Sequence, residues 1–66
     1  MSEYMMAKLT VNRFLEGDGK FIGSDEDYIM FRGLDQLERL IEMKKNHSIA
    51  RDNIRLDIII DSIESL

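Results

Sequence analysis

Apolar and polar positions change period along this chain. In Lys8-Leu9-Thr10-Val11-Asn12-Arg13-Phe14-Leu15, Leu9 and Val11 alternate with polar residues, and Thr and Val favour strands. A helical spacing of Tyr4, Met5, Leu9, Asn12 and Phe14 competes with that reading. Residues 1–6 read as a frayed start. Gly17, Gly19 and Gly23 then punctuate the chain, and Asp18-Gly19 between apolar flanks is a hairpin signal. Tyr28-Ile29-Met30-Phe31 is too short for periodicity to settle. Its aromatic ends and the glycines around it favour a strand, against a helix capped by Ser24 in a Ser-x-x-Asp box.

Residues 34–46 carry the clearest helical pattern. Leu34, Leu37, Leu40, Ile41 and the stem of Lys44 recur at helical spacing. Asp35 and Arg39 stand at i,i+4, and Lys44-Lys45 suit the carboxyl end of the helix dipole. The stretch from Ser48 to Leu66 supports two readings. As a helix capped by Ser48, it aligns Ile49, Leu56, Ile59, Ile60, Ile63 and Leu66, with Ile54 and Ile58 opposite. As a strand, it alternates Ile54, Leu56, Ile58 and Ile60 with Arg55, Asp57, Ile59 and Asp61. Length, Ala50 and the DSIESL ending favour the helix. The expected fold is therefore α+β: a small β-hairpin or meander followed by two antiparallel helices, with the C-terminal segment as a strand in the competing version.

A chain of 66 residues suffices for one small domain, 1–66. Such a domain buries only about 60% of its unfolded surface, so packing has little margin. Hydrophobic residues at 44% and charged residues at 33% place it among folded proteins. No cysteine is present, which excludes disulfides and thiolate metal sites. No apolar run, Ile58-Ile59-Ile60 included, exceeds four residues, far fewer than the roughly 20 of a membrane span. Residues 1–6 lack the basic start and apolar run of a secretory signal, so the cytoplasm is the expected location. Thirteen acids against nine bases give a net charge of −4, which disfavours non-specific phosphate binding and permits a basic protein partner.

One loop invites a metal. With Gly19 at the sixth position of an EF-hand-type loop, Glu16, Asp18 and Asp25 occupy ligand positions. The first ligand position then falls on Phe14, which offers no side-chain oxygen, and the ninth on Ile22. A tight turn explains the same glycines, so no metal and no cofactor is expected. The single histidine, His47, sits at a helix end, where capping carbonyls is sufficient reason for it. Nucleophile elbows, phosphate loops, dinucleotide fingerprints and paired-histidine zinc motifs are all missing, so no catalytic residue is named and no enzyme is expected.

What remains is binding. Ile54 and Ile58, left over by a helical C-terminus, and Tyr28, Met30 and Phe31 beside the acids Asp25, Glu26 and Asp27 form the candidate partner surface. The expected function is a small acidic interaction protein, bacterial or phage in style, that regulates or inhibits a protein partner and forms a homodimer. In the alternative, the order of strand DYIMFRG, helix LDQLERLIEMKKN and helix ARDNIRLDIIIDSIESL resembles a ribbon-helix-helix regulator. That resemblance implies a paired-strand ribbon in the DNA major groove, with Tyr28, Met30 and Arg32 toward the bases. A shorter stretch, DYIM, FR and LDQLERLIE, is similar to the opening of the haemolysin-expression-modulating family of nucleoid-associated proteins, which implies action through another protein.

Overall fold

A computed structural model describes residues 3–66. Strand β1 (Met5–Leu15) turns into strand β2 (Phe21–Phe31), helix α1 (Leu34–Asp52) follows, and strand β3 (Ile54–Ser65) closes the chain. The sheet has the order β2-β1-β3, and β1 is antiparallel to both neighbours. β2 and β3 therefore run parallel with β1 between them. Sheet and helix together are elongated, 46 × 19 × 13 Å across their Cα atoms.

The expected pair of antiparallel helices after a hairpin is corrected here. One helix covers the sheet, and residues 54–65 are a strand. Asn53 makes the switch. It adopts the left-handed conformation at φ 55°, its backbone N–H donates to the Ile49 carbonyl, and the helix ends there. Beyond it, alternation sends Ile54, Leu56, Ile58 and Ile60 to the helix side and buries apolar surface that a helix would have split between two faces.

That correction removes the element order behind the ribbon-helix-helix resemblance, because a strand stands where its second helix would be. β1 and β2 likewise remove the basis of the nucleoid-protein resemblance, which conflicts with strands in this part of the chain. β1 starts at Met5, inside the stretch read as frayed, and residues 1 and 2 lie outside the described residues.

The core is one small cluster between sheet and helix. Ala7, Leu9 and Val11 from β1, Phe31 from β2, Leu37 from α1 and Leu56 from β3 are buried, with Leu40, Ile41, Ile54 and Ile58 packed around them. At the start of α1 the Arg32 backbone N–H donates to the Gln36 side-chain oxygen at 2.7 Å. At its far end the Glu16 N–H donates to the Asn53 carbonyl at 2.9 Å, tying the hairpin turn to the α1–β3 junction. None of the described helices is long and apolar enough to cross a membrane.

Leu37 is the main buried anchor of α1, so Leu37→Ala should cost about 3 kcal/mol in urea unfolding, most of the stability of so small a domain. A cost below about 1 kcal/mol would show that α1 is not held by this core. At the junction, Asn53→Val should lose about 1–2 kcal/mol while Asn53→Gly stays close to wild type, since a β-branched side chain resists this left-handed backbone and glycine does not. Equal stability of the two variants would contradict the left-handed stop.

Candidate functional site: the uncovered face of the sheet

Because α1 covers one side, none of the described elements packs upon the other side of the sheet. Even-numbered β1 residues point there: Met6, Lys8, Thr10, Asn12 and Phe14. The register sets Met30 beside Met6, Tyr28 beside Lys8 and Glu26 beside Thr10 on one flank. On the other flank it sets Glu64, Ser62, Ile59, Asp57 and Arg55 beside Met6, Lys8, Thr10, Asn12 and Phe14. Phe21, Tyr28, Met30 and Ile59 are 53%, 57%, 53% and 50% exposed, a high fraction for large apolar side chains.

Polar contacts hold this surface in shape. Lys8 Nζ stands 3.7 Å from Glu26 Oε1. Thr10 Oγ1 donates to Asp61 Oδ2 at 2.6 Å. Asp61 is the extra residue of a β-bulge, since Leu9 pairs with Ile60 and Lys8 with Ser62. At one end the Arg55 guanidinium lies 4.5 Å over the Phe14 ring, and Phe14 meets Phe21 edge-on at 5.5 Å. The carboxylates Glu26, Asp57, Asp61 and Glu64 against Lys8 and Arg55 make the face acidic on balance.

The expected partner residues divide between the two sides. Tyr28 and Met30 sit together on the uncovered face. Phe31 points the other way and is fully buried in the core. Ile54 and Ile58 are half-buried on the helix side. Asp25, Glu26 and Asp27 are successive residues of β2, so they alternate between faces, and each has a base: Arg13, Lys8 and Lys44 respectively. Arg32, named for DNA, follows β2 with its guanidinium 4.9 Å over the Tyr4 ring and 3.8 Å from Glu3. Sequence reasoning missed Met6, Phe14, Phe21 and Ile59 as one surface. Alternation within each strand was legible, but their neighbourhood depends on register.

The turn residues fit a hairpin and not a calcium loop. Gly19 has φ 72°, its N–H donates to the Leu15 carbonyl at 2.8 Å, and the Asp18 carboxylate accepts from the Lys20 N–H at 2.9 Å. Asp25 is carried up β2 to Arg13, away from that turn. Strands flank the turn where a calcium hand requires helices. Among the described residues, no three His, Asp or Glu side chains are grouped to hold a metal ion. His47 is exposed beside Met43 and Leu40 along an open trough between α1 and the sheet.

Asp27 is held below its ordinary value of 3.8, first by the hydrogen bond from the Lys44 ammonium and then by the Tyr28 backbone N–H, with partial burial opposing. A carboxyl that ionises more easily folded than unfolded adds stability above its unfolded pKa and loses it as pH falls through the folded value. Both side chains are over a third exposed, so the increment is about 0.5 kcal/mol after screening. Asp27→Asn should therefore lower the urea midpoint slightly at pH 7, and its gap to wild type should close below about pH 4. An undiminished gap at pH 2 would show that the ion pair is not its source.

Compared with known proteins, the chain matches no family model, no curated protein and no solved structure.

Proposed function

We propose that this chain is a self-associating, non-enzymatic interaction protein that regulates or inhibits a protein partner through the uncovered sheet face. The observation that carries the reading is that face itself: half-exposed Phe21, Tyr28, Met30 and Ile59 among paired charges, with none of the described elements above them. Aromatic and methionine side chains supply adaptable apolar contact, and the surrounding charges set orientation. The acidic balance suits a basic partner surface and acts mainly on association rate. The reading needs no pocket, metal or activated nucleophile.

A photo-crosslinking residue placed at position 28 in the producing cell, against one at position 39 on the exposed side of α1, tests it. The expected outcome is covalent adducts with another protein at position 28 and few at position 39. No adduct at 28, or equal adducts at both positions, would overturn the assignment of the face.

A further inference from the structure

The two edges of this sheet differ in kind. β2 carries Asp25, Glu26 and Asp27 at its middle, so two copies paired about Glu26 would set acid against acid. Charges of that sort guard an edge against pairing. β3 carries Ile58-Ile59-Ile60 at its middle and contains no proline. Ile59 and Ile60 are about half exposed. Arg55 has no carboxylate partner among the described residues. This edge is long and open, with an apolar stretch at its middle and charges to either side.

We propose that β3 pairs antiparallel with β3 of a second copy, in a register centred on Ile58. This deepens the self-association in the function proposed above and does not depend on a foreign partner. A two-fold pairing must be centred on a residue, because a centre between residues would oppose side chains of different faces. Centring on Asp57 sets that carboxylate against itself. Centring on Ile59 sets Asp57 against Asp61 twice. Centring on Ile58 sets Ile58 against itself and Leu56 against Ile60 on the helix side. On the uncovered face it sets Asp57 against Ile59 and, twice by symmetry, Arg55 against Asp61.

The bulge at Asp61 ends the regular run where that last pair forms. Centring on Leu56 also opposes opposite charges, Arg55 and Asp57, but its paired run stops at Ile54 and leaves Ile59 and Ile60 outside. The Ile58 register is the longest without a like-charge opposition. It makes a six-stranded sheet with both helices on one side and a continuous uncovered face on the other. α1 approaches β3 more closely than β2, which brings the two helices beside the axis, near the half-exposed Ile60 and Ile63.

The test uses the purified chain without any partner: dissociation constants by light scattering over a concentration series, with folding followed by circular dichroism. Arg55 and Asp61 are both exposed, so charge reversal there leaves the core intact. Wild type should be a dimer. Arg55→Asp and Asp61→Arg should each weaken it about tenfold or more, since two opposed pairs are lost and turned repulsive. The double variant R55D/D61R should restore dimerisation to within about threefold of wild type on the same pairwise argument.

A wild-type monomer at all concentrations would overturn the proposal. So would open-ended growth, which marks edge-to-edge pairing of β3 with β2. Rescue of Arg55→Asp by Asp57→Arg and not by Asp61→Arg would overturn the register in favour of Leu56. A monomer would remove self-association from the proposed function as well, whereas crosslinks to another protein at position 28 would survive any of these failures, so partner binding is separable from this pairing.

Discussion

The constraint on which the structure depends is the parallel relation of β2 and β3 across β1. Parallel strands cannot be joined by a tight turn. The chain leaves β2 at one end of the sheet and must begin β3 at the other. Nineteen helical residues rise about 28 Å, which is how α1 recrosses a sheet built on eleven-residue strands. Once that helix is laid on one side, the core is decided, because only side chains beneath it are removed from water. The opposite face is decided too. It belongs to the same strands, but none of the described elements covers it.

This single covering layer explains the distribution of charge. β1 is central and places Ala7, Leu9 and Val11 under the helix, while Lys8 and Thr10 on the uncovered side anchor Glu26 and Asp61. The acids of β2 are placed among bases of β1 and α1, so they fasten an edge instead of projecting as a loop. β3 has fewer such devices, and its isoleucines outnumber the places beneath α1. The apolar remainder thus gathers on the uncovered face and along one edge, where association can occur without disturbing the core.

The candidate site was only partly legible. Tyr28 and Met30 were identified from their side-chain types, and they do share a surface. Phe31 was grouped with them by adjacency, yet neighbours in a strand point to opposite faces, and it fills the core. Asp25, Glu26 and Asp27 were read as one cluster and are split for the same reason. Phe14, Phe21 and Ile59 join the surface only through cross-strand register, which composition does not report.

The sequence by itself determined the helix from Leu34, the hairpin turn at Asp18-Gly19 and the exclusion of thiol chemistry, because local periodicity, turn residues and residue inventory suffice for each. It left the segment after Asp52 open, since Ile54 to Ile60 satisfy both a helical and an alternating pattern. Only tertiary structure could choose. β1 offered an unpaired edge of backbone N–H and carbonyl groups, and the underside of α1 offered an apolar surface. A strand satisfies both at once, whereas a second helix would have left that edge open and Ile54 and Ile58 on its far side.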